Sequence, residues 1–141
     1  MSKKIQMEVS PEQAHVLQGA LELYTRLGLG QFEYVGEVIS SGHVTPKDDI
    51  LNTECLDEIN EHLIQIKELM GHSFSSSYGI SSKQVSKHAK SSYEINKLLG
   101  NALAEIEGNG VGGIRSGRLG FRVTDDELPQ IVIKKKISNI K

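Results

Sequence analysis

The chain has 141 residues, the length of one domain, with 38% hydrophobic and 24% charged residues, which are soluble-globular values. No apolar run approaches the ~20 residues that a membrane span needs, and a formal net charge of −2 disfavours a surface built throughout to meet nucleic-acid phosphates. The single cysteine, Cys55, excludes an internal disulfide framework, and MSKKIQMEV at the N-terminus lacks a signal-peptide core, so the expected location is the cytosol where the chain is made.

Lys3 to Val9 alternate, with Ile5, Met7 and Val9 apolar, and predict a half-buried strand. Ser10, Pro11 and Gln13 then read as N-cap, first helical residue and capping-box partner of a helix over 11–27, with Ala14, Leu17, Leu21, Tyr24 and Leu27 as its apolar stripe and Gly28 as its stop. A short helix is predicted over 31–40 and a surface connection over 42–52. A third helix covers 53–70, with Leu56, Ile59, Leu63, Ile66 and Leu69 or Met70 inward and Gly71 as its C-terminal stop. The fourth covers 82–107, with Val85, Ala89, Ser92, Leu99 and Leu103 on one stripe.

Gly108 to Gly120 then holds six of the chain's 14 glycines. Beyond it, 119–124 and 130–137 read as two strands around an acidic turn. The expected architecture is a single α+β domain over 1–141, in which the N-terminal strand and the C-terminal hairpin form a small, mainly antiparallel sheet on a layer of three to four helices. So short a sheet beside long apolar helical stripes predicts a homo-oligomer.

Two constellations could carry chemistry. His72 to Gly79 is a polar loop in which Ser75, Ser76 and Ser77 offer hydroxyls and Phe74 and Tyr78 offer ring faces, placed by the expected helix start next to free helical N–H groups. These are the needs of a nucleotide or phosphate site, and the bland alternative is an N-cap with a solvated linker. No phosphate-loop consensus is present. The second set is Arg115, Arg118 and Arg122 among Gly112, Gly113, Gly117 and Gly120, where guanidinium forks on a yielding backbone suit closure over phosphates; solvated surface charge is the competing reading.

His15, His43, His62, His72 and His88 have no metal-ligand spacing, and no nucleophile signature surrounds Cys55. No cofactor, metal or catalytic residue is therefore assigned. His72 could serve as a general base or cap the third helix.

Gly79-Ile80-Ser81-Ser82-Lys83, followed by Val85, Ser86, Lys87, His88, Ile95, Lys97 and Leu98, resembles the recognition helix of the response-regulator and quorum-sensing class of DNA-binding domains. That resemblance implies a regulator contacting DNA through Lys83, Gln84, Ser86, Lys87 and Lys90. The preceding loop has too many serines to be the supporting helix that the class requires.

A wider resemblance covers the N-terminal two thirds of the chain. Ser-Pro-Glu-Gln-Ala at the start of the first helix, the run from Ala20 to Glu33, and Ser77-Tyr78-Gly79-Ile80 with Ala89, Tyr93 and Ile95 look like a poorly characterised family of small phage- and prophage-encoded proteins. The resemblance implies a phage setting and supplies no catalytic residues. By analogy with small phage proteins that act against host defence, the expected function is sequestration of a small anionic, nucleotide-derived signal without catalysis. Arg115, Arg118 and Arg122 would hold phosphates, Phe74 or Tyr78 would stack on a base, and Ser75 to Ser77 would bond sugar or phosphate. A DNA-binding regulator is the alternative.

Overall fold

A computed structural model of the chain describes residues 3–49, 51–108 and 121–135. Its helices are α1 (Pro11–Gly28), α2 (Tyr34–Ser40), α3 (Thr53–Leu69) and α4 (Lys87–Ile106).

Each long helix starts on a side chain that replaces a missing backbone acceptor. At α1, Ser10 Oγ accepts from the Gln13 N–H at 3.1 Å and Gln13 Oε1 accepts from the Ser10 N–H at 2.9 Å, which closes the expected capping box. Asn52 and Ser86 cap α3 and α4 through the N–H groups of Cys55 and Ala89. α3 ends before Gly71, whose φ of +91° only glycine adopts without strain. The fourth helix begins at Lys87 rather than at residue 82, because the chain first makes turns in which Ser82 N–H donates to Gly79 C=O and Val85 N–H donates to Ser82 C=O.

α1 and α4 pack antiparallel, so that His15, Gln18, Glu22 and Gly28 meet Glu107, Gly100, Asn96 and Ala89 in turn. The seam is polar and close. Ser92 Oγ donates to the Leu21 carbonyl at 2.8 Å, and a Cβ on Gly28 would stand 2.3 Å from the Ala89 Cβ. Gly28→Ala is therefore expected to lower stability by about 1–2 kcal/mol, overpacking outweighing the gain in helix propensity, and Ala89→Gly in the same chain should return most of that loss. Urea melts of the two single variants and the double variant measure the coupling, and additive losses would contradict it.

α2 lies against α3, where a Cβ on Gly36 would stand 2.0 Å from Asn60 Oδ1 and Lys67 Nζ reaches Glu33 Oε1 just before α2 at 2.9 Å. The turn between α1 and α2 passes through Gly30, which has a φ of +83° and lies against the His72 ring, so both backbone and space exclude a side chain there. Ala14, Val85, Ala89, Leu98, Leu103 and Phe121 are buried, while α3 buries only the polar Lys67, and Ile66, Leu69 and the capping Met70 are exposed instead of facing inward as expected.

The expected α+β architecture is overturned: the described residues hold helices and no strand. Residues 3–9 do alternate, yet no backbone ladder pairs them with 121–135, and Ile5 is 95% exposed. Alternation specifies a strand only where a partner backbone and a core face receive it. Here the two segments meet through exposed side-chain ion pairs, Lys4 with Glu127 and Lys134 with Glu8. Hydrogen bonding and the charge of Lys134 and Lys4 hold the Glu8 and Glu127 carboxyls below the usual carboxylate range. Of the expected strand at 119–124, residues 119 and 120 lie outside the described residues, and 121–124 form no strand: the Thr124 N–H donates to a side chain, the Glu94 carboxylate, instead of to a neighbouring strand. The short-sheet argument for an oligomer falls with the sheet.

Candidate functional site

The serine loop is pinned from beneath by a buried charge. Lys67, 1% exposed, lies on the face of α3 turned toward α2, one helical turn beyond Leu63, and its ammonium donates to Glu33 Oε1 at 2.9 Å and to the Phe74 carbonyl at 3.2 Å. Glu33 Oε2 is buried without a partner. Tyr78 N–H donates to the Leu29 carbonyl at 2.9 Å, and the Tyr78 ring meets the His72 ring edge-on with centroids 4.6 Å apart. These anchors tie both ends of the loop to the junctions of α1, α2 and α3.

What the loop presents is selective. Phe74 is 67% exposed although its own carbonyl is held by Lys67, so a fixed backbone displays an open ring. Tyr78 has part of its ring taken by His72, which makes Phe74 the better stacking surface of the two aromatics expected to serve. Ser75 and Ser77 are exposed and Ser76 is half-buried. The N-terminus of α4 stands apart from the loop in sequence, with Gly79 to Ser86 between them, so the expected direct passage from serines to helical N–H groups is not what the chain builds.

Arg115 and Arg118 lie outside the described residues. Arg122 is described, and its guanidinium is committed within the protein: Nε donates to Glu94 Oε2 at 3.0 Å, and Nη2 donates to the carbonyls of Thr124 and Asp126 at 3.2 and 2.5 Å. Glu94, 1% exposed, also accepts from the Thr124 N–H at 2.8 Å and from the Thr124 hydroxyl. Arg122 thus joins the segment 121–126 to α4 and is not brought to the serine loop.

The DNA-recognition arrangement meets similar difficulty. Lys83 and Gln84 precede α4 instead of lying on it, Lys87 pairs with Asp126 at 3.1 Å while remaining largely exposed, and α4 buries Ala89, Ser92, Glu94, Asn96 and Leu98, so the residues expected to read DNA do not share one helix. Cys55 is half-buried on α3. Among the described residues no cluster of His, Cys, Asp or Glu is arranged to hold a metal ion, and no helix is long and apolar enough to cross a membrane.

Sequence reading missed Lys67, Glu33, Gln31 and Glu94. Lys67 did leave a trace, since it follows Ile59 and Leu63 at helical spacing and a lysine on an inward stripe implies a buried partner. Gln31 left none. A shallow polar groove of about 290 Å³ between α1 and α4 is lined by Gln18, Glu22, Asn96, Lys97, Gly100 and Asn101, and its best-placed groups, Glu22 and Asn96, already bond each other at 2.8 Å. Comparison with protein-family models, with curated proteins and with solved structures finds no match for this chain.

Proposed function

We propose that the chain binds and holds a small anionic, nucleotide-derived molecule without transforming it, in the phage setting that the resemblance implies, as an anti-defence protein that sequesters a signal of the host. The observation that carries the reading is the open Phe74 ring on a loop whose backbone is fixed by buried Lys67, because a pre-ordered aromatic loses little entropy when a base stacks on it. Exposed hydroxyls of Ser75 and Ser77 on the same loop supply polar contacts beside the ring. Arg115 and Arg118 remain the expected phosphate ligands on the strength of their glycine-flanked sequence alone.

Calorimetric titration with linear and cyclic nucleotides tests it. Phe74→Ala should weaken binding by about 1–3 kcal/mol, the range for loss of one stacked base, and Arg115→Ala and Arg118→Ala by about 1.5–3 kcal/mol each, with unchanged melting. Wild-type protein that binds none of these nucleotides ends the proposal.

A homo-oligomer belongs to the same proposal, now on different grounds. Ile66, Leu69 and Met70 are exposed around the C-terminal end of α3, and Leu69 is 87% exposed, an arrangement that a second copy would cover. Sedimentation at micromolar concentration should give a mass above that of one chain, and Leu69→Lys should shift it toward the monomer. A wild-type monomer would remove this part of the reading.

A further inference from the structure

Ser76 and Ser77 are not equivalent as hydrogen-bond partners, and the difference is set by the neighbour each hydroxyl meets, Ser73 within the loop for one and Gln31 outside it for the other. Ser76 spends its hydrogen: both its N–H and its Oγ–H donate to the Ser73 carbonyl, at 3.1 and 3.2 Å. Ser77 is the reverse case. Its Oγ accepts from Gln31 Nε2 at 3.2 Å, so its own hydroxyl hydrogen stays available to a ligand.

The orientation of Gln31 is forced, since Arg26 Nη1 donates to Gln31 Oε1 at 2.7 Å and a guanidinium has only donors to offer. Arg26 is in turn held by Glu22, through Nε to Oε1 at 2.7 Å, while Asn96 Nδ2 donates to the other oxygen of Glu22 at 2.8 Å. From Arg26 outward the hydrogen bonds run in one direction, cation to amide carbonyl and amide N–H to hydroxyl, and such a chain polarises each successive donor. Its last donor is the Ser77 hydroxyl.

We infer that Ser77 is the anion-facing hydroxyl of the serine loop, donating to a phosphate or carboxylate oxygen, and that Gln31 is the positioning residue that keeps its hydrogen pointed outward. This deepens the proposed function and rests on it for the identity of the ligand as a nucleotide; donation to an anionic oxygen is a property of the loop itself. Ser76, whose hydrogen is used, is the internal control.

The most discriminating variant is Gln31→Glu. A carboxylate still accepts from Arg26 but has no hydrogen to give, so the Ser77 hydroxyl turns to donate to it and is withdrawn from the ligand. Ser77→Ala removes the hydroxyl outright, and Ser77→Thr keeps it.

The experiment is titration of the full chain with inorganic phosphate at neutral pH, read by backbone amide shifts, with thermal melts of every variant alongside. Wild type should shift at Ser77 and Tyr78. The apparent dissociation constant should rise about tenfold, the size of one charge-assisted hydrogen bond, in both Ser77→Ala and Gln31→Glu, and stay near wild type in Ser76→Ala and Ser77→Thr. A wild-type chain unmoved by tens of millimolar phosphate, or a Ser77→Ala chain that responds like wild type, overturns the assignment. Adenosine separates the two readings: if it shifts Phe74 while phosphate leaves Ser77 unmoved, this inference fails and the nucleotide reading stands. If phosphate acts at Ser77 while no nucleotide engages Phe74, the nucleotide reading fails and Ser77 keeps its role.

Discussion

Glu94→Ala is expected to be the most damaging single change in the described part of the chain, with a loss of about 3–5 kcal/mol, the range for removing one partner from a buried ion pair. The carboxylate is buried and serves three donors, the Arg122 guanidinium, the Thr124 N–H and the Thr124 hydroxyl. Alanine leaves the Thr124 N–H without its acceptor and the guanidinium with carbonyl partners only. Because Arg122 keeps 30% of its side-chain exposure, water can meet part of its need, which pulls the expected value toward the lower end of the range. The melting temperature should fall by roughly ten degrees, and proteolysis should reach 121–126 first. Glu94→Gln, which still accepts from Thr124, should lose less. A Glu94→Ala chain that melts with wild type would show that the 121–126 segment contributes nothing to the fold.

Lys67→Met should cost about 2–4 kcal/mol and should also weaken any ligand that stacks on Phe74. Methionine fills a similar space, so the loss isolates the ammonium. Its removal strands the Phe74 carbonyl and leaves the Glu33 carboxylate, one oxygen of which already lacks a partner, without its counter-charge. Glu33 is 42% exposed along its side chain and can turn to water, which limits the penalty. Adding Glu33→Leu to Lys67→Met should therefore recover part of the stability, since no charge is left to desolvate, but not the ligand affinity, since the Phe74 carbonyl stays unheld. Urea melts and nucleotide titration on the two variants separate the terms. Equal affinity in wild type and Lys67→Met would mean that the loop does not need its anchor.

The candidate site was half legible from residue order. Serines, Phe74 and Tyr78 drew attention to the loop because such residues are unusual together, but nothing in the sequence ranked Phe74 above Tyr78 or Ser77 above Ser76. Those rankings come from His72 against Tyr78, Lys67 under Phe74 and Gln31 beside Ser77, contacts that exist only once the loop has folded onto α3 and the α1–α2 turn. The arginines show the opposite limit. Arg122 was read by its chemistry as a phosphate ligand, and the same guanidinium donors are directed to Glu94 and two carbonyls of its own chain.

Helix limits that depend on interactions within a few residues were written locally. Ser10 with Gln13 starts α1, and Gly71 stops α3, because a cap or a positive φ is satisfied inside one turn of chain whatever lies around it. The sheet was another matter. Ile5, Met7 and Val9 alternate as a strand does, but a strand exists only by pairing with a distant backbone, and Thr124 gives its N–H to the Glu94 carboxylate while residues 3–9 meet 121–135 through side-chain charges. Burial of Lys67 and Glu94 was equally beyond local reading. A charge enters the interior only when packing delivers its partner, and those partners, Glu33 and Arg122, lie 34 and 28 residues away along the chain.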